Sequence, residues 1–391
     1  MPHVIAVGTY LPCWGNPHRR VVGDDEDTIT LAVEAGRAAL DGGTAVERVV
    51  LVSRDLPLLE SSNAAVLLAG LSLDPELEVD ERLGGAPPAV DALSSARPRT
   101  LIIGVDLNPA GAAAVLTAEH GLWVRTVARV SRSLPVRTHN ALGVLGDPGD
   151  PRLLHDRALV AALWPGWLDP PAALAGVDPS TAAELCTGDP PPLPTTGASS
   201  GLFALAAMAE SATTGPLVAV EAASLSGLTV SGGQAAVRRQ EPVARAMPQS
   251  TFVSGGEIPI SPAAYDRAFE ARVRWEAGRF SDSDELDFPP RYCVAPDGKL
   301  STGYELVPLP RTGTVYTEAT VHIPVPGAKT PYSLVIVELD GAGVRVLVKV
   351  TGAEAGTVHI GDRGRLALRR VAVRSGVPDY GYAFTPEGEA T

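Results

Sequence analysis

The order of secondary-structure signals constrains the fold of this chain more than any other feature. Over roughly the first 135 residues, short apolar runs rich in β-branched residues alternate with Ala-rich stretches that have helix start and stop signals. The run LIIGVD at 101–106 is continuously apolar, which is typical of a strand buried in a sheet. From Phe288 onward, short β segments follow one another with the spacing of a small barrel. The sequence therefore predicts an α/β layered domain followed by a small all-β barrel.

Length and composition agree with this division. The chain has 391 residues, too many for one continuous core, and 45% of them are hydrophobic while only 5% are aromatic. Cores built mainly from Ala, Val and Leu are typical of layered α/β proteins. We predict an α/β domain over residues 1–230, a linker over 231–260, and a helix followed by β structure over 261–391.

The charge of the chain excludes one large class of partners. Its formal net charge is -13 and its pI is about 5.0, which disfavours binding to nucleic acid because that binding depends on Lys and Arg displacing counterions. No apolar run reaches the ~20 residues that span a bilayer, and the first residues do not form a secretory signal. We therefore expect a cytoplasmic protein with no membrane partner.

Several motifs in the first 230 residues carry a family likeness. They are GTYLP at 8–12, DDEDT at 24–28 before an Ala-rich helix, GAAAVL at 111–116 and TGASSGLFALA at 196–206. In this order they resemble the hydroxymethylglutaryl-CoA synthase and ketoacyl synthase III branch of the thiolase superfamily. The resemblance implies a shortened thiolase-like domain whose ligand would be an acyl-CoA.

The residue that the thiolase-like family needs for catalysis is missing. These enzymes use a cysteine at the start of a buried helix, where the helix dipole lowers the thiolate pKa and the thiolate takes up the acyl group. The matching stretch here is LGGAPPAVDAL at 83–93, which has Ala86 or Pro87 at that position. The family's histidine and asparagine motifs also have no clear counterpart between Gly143 and Gly201. The resemblance therefore implies a domain without its nucleophile.

Three residues remain as weak catalytic candidates, namely Cys13, Cys186 and His139. Cys13 lies in the first loop, where no helix N-terminus is expected to activate it. Cys186 comes at the end of a predicted helix, where the dipole would raise its thiol pKa. His139 precedes Asn140 and a stretch rich in Pro and Gly. We expect packing or surface roles for all three and predict no catalytic residue.

The C-terminal part carries a second resemblance. The segments FPPRYC at 288–293, YELVPLPRTGTVYT at 304–317 and PYSLVIVEL at 331–339 look like the acyl-CoA-associated OB-fold domain, which contains an N-terminal helix, a zinc ribbon and a barrel. A structural zinc ribbon holds its metal with four thiolates. Here the first knuckle has no cysteine and the second has only Cys293. The resemblance thus implies a degenerate ribbon, with Cys293 as a relic and zinc absent.

The two resemblances together suggest retained shape without retained chemistry. They imply a non-catalytic accessory or scaffold subunit that completes an acyl-CoA complex by docking against a catalytically intact thiolase or ketosynthase homologue, with no required cofactor. The alternative is a hydroxymethylglutaryl-CoA synthase-like acyltransferase or condensing enzyme with a displaced or absent nucleophile.

A third hypothesis is a free-standing module that binds acyl-CoA through basic residues. The arginines available for the CoA phosphates are Arg238, Arg239, Arg245, Arg369 and Arg370. Short basic pairs are common on exposed faces, so we expect these to be solvated surface residues.

Overall fold

The computed structural model describes most of the chain. The described residues are 2–59, 61–131, 138–139, 145–146, 169–222, 224–255, 270–281, 285–290, 293–294, 298–324, 326–374 and 376–387. The chain divides into two compact units. The first unit comprises Met1–Val22, Leu31–Asn63 and Glu76–Ala244, and the second comprises Gly23–Thr30, Ala64–Pro75 and Arg245–Thr391.

The helices and strands of the described residues follow the predicted order, α/β first and β afterwards. The helices are α1 Thr28–Leu40, α2 Ala64–Leu71, α3 Ala86–Ser94, α4 Pro179–Leu185 and α5 Ser200–Glu210. The strands before residue 245 are β1 His3–Tyr10, β2 Trp14–Asn16, β3 Arg19–Val21, β4 Arg48–Ser53, β5 Glu78–Leu83, β6 Thr100–Leu107, β7 Ala110–Ala118, β8 Leu122–Ser131, β9 Thr138–His139, β10 Leu145–Gly146, β11 Ala173–Ala175, β12 Gly215–Glu221, β13 Ser224–Ser231 and β14 Ala236–Gln240.

The strands after residue 245 belong to the second unit. They are β15 Thr251–Phe252, β16 Glu276–Phe280, β17 Leu286–Asp287, β18 Cys293–Val294, β19 Leu300–Ser301, β20 Tyr304–Pro308, β21 Thr312–Val321, β22 Lys329–Thr330, β23 Tyr332–Leu339, β24 Arg345–Lys349, β25 Arg363–Arg374 and β26 Val377–Pro386. The predicted fold class, a layered α/β domain followed by a small all-β barrel, is confirmed.

A mixed sheet of ten strands organises the first unit. Its order is β11-β12-β13-β8-β1-β7-β6-β4-β5, and β14 pairs in parallel with β1. β4 runs parallel to β5 and β6, whereas β7 runs antiparallel to β6 and β1. All nine residues of β7 are buried, which explains why that strand is built from Ala, Gly, Val, Leu and Thr.

Two buried helices, α3 and α5, lie at the centre of the first unit. α3 contacts β4, β6, β8, β12 and β13, α5 contacts β1, β7, β11, β12 and β14, and the two helices contact each other. They approach closely because Gly201 has no side chain: a Cβ there would lie 2.7 Å from a methyl carbon of Val90. Small residues on both helices therefore permit the layered packing that the Ala-rich composition predicts.

Part of the predicted linker is a strand of this sheet. β14 pairs with β1 in the register Ala6↔Ala236 to Tyr10↔Gln240. These residues fall within the predicted linker 231–260. A parallel partner far away in sequence orders them, and local patterning does not report such a partner.

The second unit is built around a five-stranded antiparallel sheet. Its order is β24-β23-β21-β25-β26, and a bridge between Val350 and Phe384 links its two ends into a barrel. Buried and exposed residues alternate along β24, as expected of a strand with one face in a core. A helix was predicted to extend to Phe280, but Glu276–Phe280 is strand β16, paired with β20. Residues 270–274 are helical.

Two segments from early in the chain belong to this second unit. Within the segment 23–30, the Asp27 carboxylate accepts a hydrogen bond from the Tyr380 hydroxyl at 2.9 Å. Glu26 lies 3.6 Å from the Arg369 guanidinium, and both side chains are about 95% buried. The barrel core therefore includes charged residues that the first 30 residues supply. Within the described residues, no helix combines the length and apolarity needed to cross a membrane.

Candidate functional site

The start of α3 is the position where the thiolase-like resemblance expects a nucleophile. The helix begins at Ala86, which is fully buried, and Gly85 is its N-cap residue. Pro87 and Pro88 occupy the next two positions. The first turn of a helix normally offers free backbone N–H groups to an anion, but proline has none. The sequence thus removes both the thiol and two of the donors that would stabilise a thiolate.

A carboxylate and a guanidinium are in contact beside this helix start. The Glu221 carboxylate accepts a hydrogen bond from the Gly85 backbone N–H at 2.9 Å, and its other oxygen forms an ion pair with Arg54. The two side chains are 22% and 32% exposed. A Cβ on Gly85 would lie 2.6 Å from the Glu221 carboxylate and 2.7 Å from the Arg54 guanidinium, so a larger residue here would displace the ends of these two side chains.

A second carboxylate occupies the start of α5. Asp106, at the end of β6, accepts backbone hydrogen bonds from Ala198 at 2.8 Å and Ser199 at 2.9 Å, and a third from the Ser199 hydroxyl at 2.6 Å. The Ser199 hydroxyl also lies 2.7 Å from that of Thr195. Gly197 is necessary for this arrangement, because a Cβ there would lie 1.8 Å from the Asp106 carboxylate.

Burial sets the protonation behaviour of Asp106. It raises the pKa of this carboxyl, while the hydrogen bonds from Ser199 and Ala198 and the charge of Arg54 act in the opposite direction. Arg54 therefore interacts electrostatically with Asp106 and pairs directly with Glu221. We call Arg54, Asp106 and Glu221 the charged triad. It joins the starts of the two central helices.

The charged triad limits the chemistry that this site can perform. An acyl-transfer site needs a nucleophile and preorganised donors directed at the developing oxyanion. Here the donors at Gly85, Ala198 and Ser199 are already used by the protein's own carboxylates. The arrangement is suited to holding the two helices in place.

The three weak catalytic candidates do not come together with the charged triad in any described contact. Cys186 is the C-cap residue of α4, as the sequence predicts, and burial raises the pKa of its thiol. His139 ends β9, and its side chain lies outside the described residues. These assignments as candidates stay predictions.

The environment of Cys13 includes an arginine that the sequence alone did not indicate. It is buried, and its charge acts on the guanidinium of Arg20, whose pKa is lowered by burial and raised by Cys13. Arg20 also donates to the Pro12 carbonyl at 2.8 Å. A nearby guanidinium favours a thiolate. The residue of β3 that interacts electrostatically with Cys13 is therefore an arginine.

The arginines proposed for CoA phosphates are engaged within the protein. Arg239 pairs with Glu210 and Glu241 at 2.7 Å, and the hydrogen bond to Glu210 raises the pKa of Arg239. Arg238 pairs with Asp41 at 3.2 Å. Arg369 is 3% exposed, so the expectation that it is a solvated surface residue is wrong. Its charge is held inside the barrel by Glu26.

The other two arginines make contacts to backbone carbonyls. Arg245 donates to the Gly352 carbonyl at 2.6 Å, and Arg370 donates to the Asp24 carbonyl at 3.0 Å. In the described contacts, neither arginine belongs to a cluster of guanidinium groups of the kind that binds a phosphate.

No cluster of three or more His, Cys, Asp or Glu side chains with metal-binding geometry occurs in the described part of the chain. Cys293 starts strand β18, which pairs with β19, but its side chain lies outside the described residues. The predicted loss of zinc therefore stays a prediction.

Sequence reasoning identified Ala86 and Pro87 but missed the charged triad. Asp106 ends the apolar run at 101–106. An acidic residue at the end of a buried strand is a sequence signal for a buried carboxylate that can cap the start of a helix. Arg54 follows β4 in the same way. Glu221 likewise ends the apolar strand β12, but its partner Gly85 is 136 positions away in sequence, so the pairing has no local signal.

Comparison with known proteins supports the C-terminal assignment. Residues 306–369 match the family model of the ChsH2 C-terminal OB-fold domain. The described strands β21, β23, β24 and part of β25 lie in this segment. No curated protein sequence matches the chain. The predicted OB-type domain is confirmed.

Several solved structures are similar in fold. The ketoacyl synthase III FabH of Pseudomonas aeruginosa PAO1 is 17% identical, with 63% of this chain and 99% of that chain covered and a TM-score of 0.43. A variant of Xanthomonas campestris OleA is 15% identical, with coverage of 59% and 97% and a TM-score of 0.46. A structure described as Ltp2-ChsH2(DUF35) aldolase is 24% identical, with coverage of 31% and 93% and a TM-score of 0.26.

Identities this low describe a likeness of fold and assign no activity. The chain therefore joins a layered α/β domain to a segment, residues 306–369, that matches the ChsH2 C-terminal OB-fold domain.

Proposed function

We propose that this chain is a non-catalytic accessory or scaffold subunit of a thiolase- or ketosynthase-type acyl-CoA complex. It docks against a homologue that retains its nucleophile. The observation that carries the proposal is the charged triad with Ala86, Pro87 and Pro88: the helix starts where acyl transfer would occur hold the protein's own carboxylates and prolines.

The tetrahedral intermediate of acyl transfer carries an oxyanion, and free hydrogen-bond donors are needed to stabilise its negative charge. Glu221 and Asp106 already accept hydrogen bonds from those donors, which are therefore not free for a further anion at this position. The same groups hold α3 and α5 in register, because each accepts hydrogen bonds from the backbone at a helix start. A domain that keeps its shape in this way can still present a docking surface.

Restoring the thiol tests whether the site retains catalytic capacity. In a chain with Cys13, Cys186 and Cys293 changed to Ser, we expect the thiol introduced by Ala86→Cys to react with iodoacetamide no faster than free cysteine, with a pKa no lower than the ordinary value of ~8.5. Incubation with acetyl-CoA leaves the intact mass of this variant unchanged. An acetyl adduct on the introduced thiol, formed catalytically, would overturn the proposal.

A matched variant separates the effect of the prolines from that of burial. Adding Pro87→Ala and Pro88→Ala to Ala86→Cys restores two backbone donors, and we expect the thiol to react faster and its pKa to fall. Circular dichroism verifies that the variants remain folded. Equal reactivity with and without the prolines would contradict the role that we assign to them.

The docking part of the proposal has its own test. The chain is co-expressed with a thiolase or ketosynthase homologue from the same genome, and acyl-CoA turnover is measured for each protein alone and for the pair. We expect a stable complex whose turnover requires the partner's cysteine and is lower without this chain. A pure, monodisperse preparation of this chain that turns over acyl-CoA without a partner would refute the proposed scaffold function.

One observation favours the alternative, an acyltransferase or condensing enzyme with a displaced nucleophile. Cys13 lies close enough to Arg20 for their charges to interact, and that arrangement favours a thiolate. Mass spectrometry of the wild-type chain after incubation with an acyl-CoA distinguishes the two functions. An acyl group on Cys13 that is lost in Arg20→Met supports the enzyme, and an unmodified chain supports the scaffold.

A further inference from the structure

A groove runs along one side of the barrel in the second unit. Its volume is about 610 Å³. Strand β24 lines it together with three aromatic residues, and the Trp275 ring packs against those of Phe288 and Tyr382 with centroids 4.8 and 4.5 Å apart. The groove thus has a backbone wall and an aromatic wall.

The groove follows the edge of β24, and Leu334 of the neighbouring β23 extends its lining onto the exposed face of the sheet. Side chains along the strand alternate, with Arg345, Leu347 and Lys349 exposed and Val346 and Val348 buried. All five nevertheless line the groove. Because alternate side chains point to opposite faces of a sheet, only a cavity at the strand edge contacts all of them.

The alternating hydrogen-bond pattern between β23 and β24 shows which backbone groups of β24 point into the groove. The Val350 N–H donates to the Ser333 carbonyl at 3.0 Å. The alternation of an antiparallel pair then assigns the backbone groups of Val346 and Val348 to bonds with β23. The N–H and C=O groups that point away from β23, toward the groove, are those of Arg345, Leu347 and Lys349.

No described strand pairs with this edge of β24. It is the terminal strand of its sheet, and β26 reaches it only through the bridge between Val350 and Phe384, where the Thr351 N–H donates to the Phe384 carbonyl at 2.9 Å. Gly381 and Tyr382 of β26 line the groove together with β24. An edge of this kind is a template for another strand.

The charge of the groove selects the incoming strand. Arg272, Arg345 and Lys349 line it, and none of the described lining residues is acidic. Arg345 pairs with Glu338 at 2.7 Å, while Lys349 lies over the Tyr332 ring. In a protein of net charge -13 this basic edge is an exception. A second copy of the same edge would bring like charges together, so self-pairing is disfavoured.

We propose that β24 accepts an extended segment of a partner protein in which acidic and apolar residues alternate. The segment adds a strand to the barrel, its backbone bonding to Arg345, Leu347 and Lys349, its acidic side chains approaching the cations and its apolar side chains contacting the aromatic wall. This binding site is independent of the proposed scaffold function, because it does not involve the charged triad.

Peptide selection on the full chain tests the proposal. A random 12-residue display library is panned against the immobilised protein, and the best peptide is measured by fluorescence anisotropy. We expect enrichment of alternating acidic and apolar sequences, and slower hydrogen exchange at the amides of Arg345, Leu347 and Lys349 when the peptide is bound. Enrichment of neutral or basic peptides, or displacement of the peptide by acetyl-CoA or inorganic phosphate, would overturn it.

Two variant pairs locate the binding. Leu347→Pro removes a groove-facing N–H without touching a bond to β23, and we expect about tenfold weaker binding, whereas Leu347→Ala keeps the N–H and changes affinity less. Arg272→Glu with Lys349→Glu weakens binding by about tenfold or more, whereas the exposed Arg125→Glu of the first unit does not. If Leu347→Pro fails to fold, the charge pair and the exchange data decide. Unchanged binding in the charge-reversed variant would refute the proposal.

Discussion

Asp106 is fully buried, so its protonation is linked to the stability of the fold. Because its folded pKa is raised, its contribution to the free energy of unfolding is fully present below the ordinary aspartate pKa and is lost as pH rises through the folded value. Asp106→Asn removes this dependence. We expect the destabilisation caused by Asp106→Asn to be largest in acid and to shrink toward neutral pH. Urea unfolding of both proteins from pH 4 to 8 measures it, and a difference that grows with pH would contradict the argument.

Arg54 and Glu221 form a pair that is partly exposed, so its net value is modest. Arg54→Met leaves the Glu221 carboxylate at the start of α3 without its cation, and we expect a loss of about 1 kcal/mol. Adding Glu221→Gln to Arg54→Met removes the unpaired charge and recovers part of the loss. Chemical denaturation of the two single variants and the double variant gives the coupling. Simple additivity would show that the two side chains act separately.

The residue scale shows how far the candidate site could be predicted. Ala86 and Pro87 could be identified because a helix start, a glycine pair and the missing thiol are local in sequence. The sequence could not show that one site contains Asp106, Arg54 and Glu221, because they come from the ends of three strands that only the folded sheet brings together. Arg369 was expected on the surface because sequence shows that a residue is charged but not that Glu26, 343 positions earlier, is there to pair with it.

At the scale of elements, the contact between α3 and α5 depends on one missing side chain. Gly201→Val places methyl groups against Val90 in a fully buried contact, and overpacking of this kind costs about 1–3 kcal/mol. Val90→Ala alone leaves a cavity. We expect the double variant to lose less stability than the sum of the two single losses. Thermal unfolding of the three variants tests this, and an additive result would show that the helices do not approach here.

The elements themselves were largely predictable where the pattern is long. Thr28–Leu40 was expected as a helix from its acidic start and glycine end, and Thr100–Leu107 as a strand from its continuous apolar run. β14 and β16 were missed for a common reason. Each has five residues, and each is ordered by a partner more than 20 positions away, β1 and β20, so that local propensity gives no sign of it.

At the scale of the whole molecule, the second unit is discontinuous in sequence. A boundary between two consecutive domains was expected near 231–260, yet the segments 23–30 and 64–75 belong with residues 245–391. In the full chain, Glu26→Gln removes the carboxylate that faces buried Arg369, and we expect a loss of about 3 kcal/mol. Hydrogen exchange at β25 and β26 reports it, because Arg369 lies on β25. Unchanged exchange there would mean that Glu26 does not stabilise the barrel.

The isolated fragment 245–391 tests whether the second unit depends on the early segments of the chain. It lacks Glu26 and Asp27, so the charge of Arg369 and the hydroxyl of Tyr380 lose the partners that the first 30 residues supply. We therefore expect Arg369→Met to destabilise the full chain more than the fragment, because the ion pair between Arg369 and Glu26 is present only in the full chain. Denaturation of four proteins, the full chain and the fragment with and without the substitution, measures the difference. The same effect of Arg369→Met in both would show that the barrel is complete without the early segment.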